Sequence, residues 1–160
     1  MDAFIQLVSN RWKFGLFLFS KLPAAWISGV RVRHLDAGRA EVSVPYKWLS
    51  QNPFRSTYFA CLSMAAEMST GLLAMGHSFQ RKPAVSMLVV KLEGEFLKKA
   101  TGITVFTCEE GETFRQVIEE AIKTGEARSV TAKTIGKNTA GEIVATFQIT
   151  WSFKAKTVNG

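Results

Sequence analysis

Between Tyr58 and Met75 the chain holds a single acidic or basic side chain, Glu67, in an otherwise apolar and small-residue run. A carboxylate set in such a segment is costly unless it is partnered or used. Burial raises its pKa towards the range of a general base. Two readings follow. Glu67 is a functional carboxylate that activates water or attacks a carbonyl, or it is an acid satisfied locally by Ser63 at i−4 or Thr70 at i+3. A second feature lies at the start of the same segment. If it is a helix, the N–H groups of Phe59 and Ala60 have no intrahelical acceptor and sit at the positive end of the helix dipole. Such amides can hold negative charge developing on an oxygen. Around them stand Asn52, whose amide could donate to a carbonyl or orient water, and Tyr58, whose phenol could donate a hydrogen bond. The structural alternative for Asn52 is a turn residue ahead of Pro53. For Ser63 and Thr70 the choice is between orienting Glu67 and packing within the helix.

These residues need a frame. Residues 58–75 read as a helix apolar almost all round, hence buried on every side, capped by Ser56 or Thr57 and stopped by Gly76. Before it, Phe4, Ile5, Leu7, Val8, Trp12, Leu16 and Phe19 recur at spacings of three and four, which predicts one amphipathic N-terminal helix. That helix is a packing element, a hydrophobic lid over an acyl tunnel, or a membrane-surface contact. Leu22-Pro23 ends it. Residues 29–34 and 40–44 alternate as a hairpin around Asp36-Ala37-Gly38. After the helix, strands are predicted over 85–98, 103–107, 128–135 and 143–153. A short helix over 113–122 is inserted among them, with a Thr113/Gln116 capping box and Gly125 past its end. One apolar helix and about six antiparallel strands require the sheet to wrap the helix.

Composition sets the class. The chain has 160 residues, 47% of them hydrophobic and 21% charged, which suits one globular domain. It divides into residues 1–27, a helix and connector, and a core over 28–154. The net charge of +7 favours anionic partners, but the basic residues are scattered, which argues against nucleic acid. Cys61 and Cys108 read as two buried thiols in a reducing compartment. His34, His77 and the cysteines are too dispersed for a metal set. Ser63, Glu67, Ser69 and Thr70 interrupt the longest apolar stretch, so no transmembrane span is expected. The apolar run Phe14–Phe19 is too short for a signal peptide. A cytoplasmic protein is expected.

The order of elements resembles the hotdog fold, an α+β architecture of about six antiparallel strands around a long central helix. The phrases strengthen the likeness. Thioesterases of the phenylacetate-pathway type carry an Asn, a short loop, then His-Gly-Gly opening the central helix, with an acidic residue nine positions after the His. Here Asn52 leads into Tyr58-Phe59-Ala60, and Glu67 stands nine residues after Tyr58. Phe96-Leu97-Lys98-Lys99-Ala100-Thr101-Gly102 is similar to the phrase that closes the family's next strand, with Lys99 in place of its proline. Gly141-Glu142-Ile143-Val144-Ala145 is similar to the family's last hairpin. The short helix before Arg128 resembles a functionally uncharacterised branch of the superfamily.

The resemblance implies hydrolysis of acyl thioesters of coenzyme A or acyl carrier protein by a homodimer or tetramer, with no cofactor beyond the coenzyme A of the substrate. Glu67 would be general base or nucleophile, and the Phe59 and Ala60 amides the oxyanion hole. Arg81 and Lys82 are candidates for the substrate phosphates. Geometry adds a constraint. Glu67 lies eight residues beyond Phe59, about 12 Å along a helix, whereas both must sit about 3 Å from one carbonyl. Two antiparallel helices from two subunits satisfy this; one helix does not. The Tyr58-Phe59-Ala60 tip, where the family has His-Gly-Gly, supports an alternative: a non-catalytic hotdog protein that binds acyl-CoA or fatty acyl groups.

Overall fold

The computed structural model describes residues 1–156. Helices α1 (Asp2–Ser9), α2 (Arg11–Lys21) and α3 (Pro23–Ser28) precede strands β1 (Arg31–Leu35) and β2 (Ala40–Val44). A short 3-10 turn, Trp48–Ser50, leads to the central helix α4 (Phe59–Ser78). Then come β3 (Val85–Phe96), β4 (Thr104–Cys108), α5 (Gly111–Thr124), β5 (Arg128–Lys137) and β6 (Ile143–Ala155). The strands form one sheet in the order β1-β2-β4-β5-β6-β3, antiparallel throughout. One face of it packs on α4.

The single N-terminal helix predicted from spacing is three helices. Asn10 breaks the first turn of chain and caps the second, its Oδ1 accepting from the Lys13 N–H at 3.1 Å. Pro23 does not end helical structure; it occupies the first turn of α3, where a missing N–H costs nothing. The three helices run back along α4. Met1 and Phe4 meet Gly76 near its C-terminal end, Phe14 and Leu18 of α2 face its middle, and the Ser28 hydroxyl of α3 lies 3.6 Å from the Cys61 sulfur near its start. Thus α4 is covered by helices as well as by sheet.

Gly76 is no helix stop. The helix continues to Ser78, and a methyl built on Gly76 would lie 2.4 Å from the Met1 sulfur, so the glycine lets α1 approach. Nor do Ser56 and Thr57 cap α4. The Ser56 hydroxyl donates to Asn52 Oδ1 at 3.2 Å and the Thr57 hydroxyl to the Ala100 carbonyl at 3.2 Å. The cap position falls to Tyr58, without a side-chain cap. Helix α5 also starts earlier than expected, because Gly111 docks on the β1–β2 hairpin, its N–H donating to the Gly38 carbonyl at 3.0 Å. Thr113 is therefore inside the helix, and its hydroxyl donates back to Glu110. Gly125 does close α5 with a left-handed φ of +72°.

Aromatic rings fill the space between sheet and helices. Phe106 and Phe147 meet edge-to-face at 5.6 Å, and Phe114 and Phe153 at 6.0 Å. A methyl on Gly136 would lie 2.5 Å from the Phe106 ring, so that glycine is the recess the ring occupies. Gly136→Val is expected to destabilise the fold by about 1–3 kcal/mol through overpacking, read as a Tm lower by several degrees in a thermal melt. Both cysteines are buried free thiols. Burial pushes the Cys108 thiol up to about 12, which leaves it protonated and inert.

Candidate active site

Helix α4 is not buried all round. Phe59 is 55% exposed and Met75 38% exposed, and Ser63 and Glu67 are half-buried. These positions fall four residues apart and so share one stripe of the helix surface. Gly71, the remaining position of that stripe, is buried. Glu67 thus sits on a stripe of the central helix that the rest of the chain covers only in part.

The Glu67 carboxylate forms no hydrogen bond or ion pair among the described residues. Ser63 donates instead to the Phe59 carbonyl at 2.9 Å, and Thr70 to the Glu67 carbonyl at 3.0 Å. Local satisfaction by these hydroxyls, or orientation of the carboxylate by them, is therefore not what the geometry shows. Thr70 acts one step away. Its Oγ1 accepts the Trp151 indole N–H at 3.0 Å, which ties α4 to β6. A second buried tie joins Ser69 to Thr134 of β5 at 2.8 Å. A methyl on Gly71 would lie 3.2 Å from Glu67 Oε1 and 3.3 Å from the Trp151 ring, so acid and indole meet over that glycine. A cavity of about 60 Å³ adjoins them, lined by Phe14, Phe17, Leu18, Met75, Met87 and Trp151 among others. That volume is room for roughly two waters. The α2 part of this wall is Phe14, Phe17 and Leu18, whereas the spacing marks Trp12, Leu16 and Phe19, which α2 turns outward; Trp151 and Met87 carry no local signal.

Desolvation pushes the Glu67 carboxyl above its ordinary pKa. The consequence for stability follows from the sign. A carboxyl whose folded pKa is raised is favoured in its protonated form, so its contribution is fully present below the unfolded carboxylate pKa and is lost as pH rises through the raised folded value. Glu67→Gln, neutral throughout, is expected to melt a few degrees higher than the parent near pH 8. The difference should close near pH 4, in melts run across that range.

At the other end of the stripe, the N–H groups of Phe59 and Ala60 have no acceptor among the described residues, whereas Cys61 and Leu62 donate to the Tyr58 carbonyl at 2.9 and 3.2 Å. The amides are free because Ser56 and Thr57 are engaged elsewhere. The Tyr58 and Phe59 rings pack edge-to-face at 4.8 Å, and Phe59 meets Phe96 of β3 at 6.2 Å. Asn52 organises the loop before the helix: its Oδ1 accepts from the Phe54 and Ser56 N–H groups at 3.0 and 3.2 Å. Its turn role is thus plain, while its side-chain NH2 has no acceptor among the described residues.

Arg81 and Lys82 lie beyond the far end of α4 with Gln80, Glu119, Ile122 and Lys123, around an open cleft of about 510 Å³. Arg81 pairs with Glu119 at 3.4 Å. The helix from Glu67 to Ser78 alone spans about 16 Å, so the chain does not bring these cations to Glu67. His77 Nε2 donates to the Ala37 carbonyl at 2.9 Å; burial lowers its pKa, which fits a structural side chain.

A six-stranded antiparallel sheet packed over one long helix defines the hotdog fold. Solved structures share it over nearly the whole chain. A Pseudomonas aeruginosa protein of unknown function, described as a probable thioesterase, matches with a TM-score of 0.72 at 20% identity, covering 97% of this chain and 95% of its own. A Chlorobaculum tepidum protein of unknown function matches with a TM-score of 0.77 at 14% identity, covering 91% and 94%. A thioesterase from Haemophilus influenzae matches with a TM-score of 0.65 at 8% identity, covering 94% and 95%. No curated protein sequence matches the chain. Within this class the chain belongs to the family described as a domain of unknown function, DUF4442, whose model matches residues 10–153.

Proposed function

We propose that this protein is a thioester hydrolase acting on acyl groups carried by coenzyme A or acyl carrier protein, working as a cytoplasmic homodimer. The observation that carries the proposal is the unpartnered, half-buried Glu67 on the open stripe of α4. The names of two structural neighbours, a probable thioesterase and a thioesterase, agree with it.

In this reading Glu67 takes a proton from water as its oxygen attacks the thioester carbonyl carbon, or attacks that carbon itself. The Phe59 and Ala60 amides of the partner subunit hold the oxyanion. With Glu67 as base, collapse breaks the C–S bond and the thiolate leaves with the proton from Glu67; with Glu67 as nucleophile, collapse expels the thiolate, protonated by solvent, and leaves an acyl-glutamyl anhydride that water hydrolyses to the free acid and the restored carboxylate. Asn52 and Tyr58 stand beside those amides as further donors. The dimer would form along β3, the longer of the sheet's two edge strands, which exposes Leu88, Val90, Leu92 and Phe96. A long apolar edge strand is a template for pairing with another chain. Arg81 and Lys82 are assigned to the phosphates of the carrier.

The exposed Phe59 ring at the helix tip and the small cavity favour a second reading, a binder of acyl groups without turnover. Free-thiol release from a panel of acyl-CoA thioesters separates the two. Turnover supports the hydrolase; acyl ligand retained with no thiol released supports the binder.

A further inference from the structure

Helix α2 is apolar on two opposite faces. Phe14 and Leu18 are buried against the core and help to wall the cavity beside Glu67. Trp12, Leu16 and Phe19 project outward, 91%, 68% and 53% exposed. At i, i+4 and i+7 they form one continuous ridge. A lone exposed apolar side chain needs no explanation, but a ridge of three large ones on one helix does.

The charged side chains of α2 itself are of one sign. Helix α2 contains no acidic residue and exposes Lys13 and Lys21. On its other flank a cleft of about 480 Å³ runs between Gly15 and Leu18 of α2 and Arg31, Arg33 and His34 of β1. Arg31 and Arg33 hydrogen-bond to a backbone carbonyl and to the Ser43 hydroxyl. Lys13, Lys21, Arg31 and Arg33 make no salt bridge among the described residues, unlike Arg39, Arg81, Arg115 and Arg128, each of which faces a glutamate.

We propose that this face docks on an anionic lipid bilayer. Tryptophan and phenylalanine would enter the interface while the lysines and arginines meet lipid phosphates, the arrangement that holds interfacial helices in place. The inner face of the same helix borders the Glu67 cavity. On the hydrolase reading, which this second step requires, docking brings that cavity to the membrane and selects long-chain acyl thioesters that partition there.

Flotation of the full chain with vesicles tests the docking without any turnover. The parent should float with vesicles of phosphatidylcholine containing about a third phosphatidylglycerol, less so as salt is raised, and not with phosphatidylcholine alone. Trp12→Ser/Leu16→Ser/Phe19→Ser should bind at least ~10-fold more weakly, as should Lys13→Glu/Lys21→Glu. Equal binding by parent and either variant, or no binding by the parent, overturns the proposal. So does a triple variant that sediments as a monomer where the parent is a dimer, since the ridge would then belong to a second copy. Turnover is read separately. The triple variant should keep the parent rate on a water-soluble short-chain acyl-CoA and lose its rate on a long-chain one presented in vesicles. A parent that binds vesicles but releases no thiol from either leaves the docking intact and removes the hydrolase reading.

Discussion

Glu67→Ala is expected to lower kcat/KM for acyl thioester hydrolysis by at least ~10²-fold, the effect of removing a general base. The acid has no structural partner to lose: no donor within the described residues contacts its carboxylate, and its site is a small apolar cavity. The variant should therefore fold as well as the parent. Glu67→Gln sharpens the contrast. It should be equally inactive, because an amide accepts no proton, yet more stable near pH 8, because it removes a desolvated charge. Loss of activity joined to a gain in stability marks a residue kept for chemistry. The pH profile should carry the same signature, since burial raises the Glu67 pKa. Activity should rise with pH through a value above the ordinary carboxylate range, and that limb should vanish with the carboxyl. Steady-state kinetics across pH on the three proteins checks this. An active Glu67→Ala variant would exclude the assignment.

The second large effect concerns a donor rather than a side chain. Phe59 is the first residue of α4, and Tyr58 before it is extended at φ −60° and ψ 134°, the conformation that a following proline prefers. Phe59→Pro thus removes one N–H from the helix start with little strain. Phe59→Ala removes the ring and keeps the N–H. If the amide binds the oxyanion, Phe59→Pro should lose roughly 10²–10³ in kcat. Phe59→Ala should stay near the parent or exceed it, because it keeps the amide and removes only an exposed ring at the helix tip. Similar losses in both variants would assign Phe59 to packing alone.

Much of this arrangement is legible in the amino-acid sequence. Alternation over 40–44, 128–135 and 143–153 announced the strands, because one face of each packs on the helix and the other does not. The apolar run holding Glu67 announced both the central helix and its odd acid. Where the reading failed, the deciding contact was distant in sequence. Gly76 resembles a helix stop until Met1 and Phe4 are seen against it. Thr57 resembles a cap until its hydroxyl is found on Ala100, forty-three residues away. The stripe left open on α4 was hidden for a related reason. Composition shows that a helix is apolar all round, but not which face the rest of the chain covers only in part.

The central claim is that each site joins Glu67 of one subunit to the helix-start amides of the other. Mixing the two inactive proteins tests it most directly. Glu67→Ala and Phe59→Pro are unfolded together in equal amounts, refolded, and assayed for thiol release. In a mixed dimer one site combines both defects, while the other takes Glu67 from the Phe59→Pro subunit and the intact amide from the Glu67→Ala subunit. With half the dimers mixed and one good site in each, activity should return to about a quarter of the parent level. A mixture that forms mixed dimers and stays as inactive as its parts would contradict a shared site.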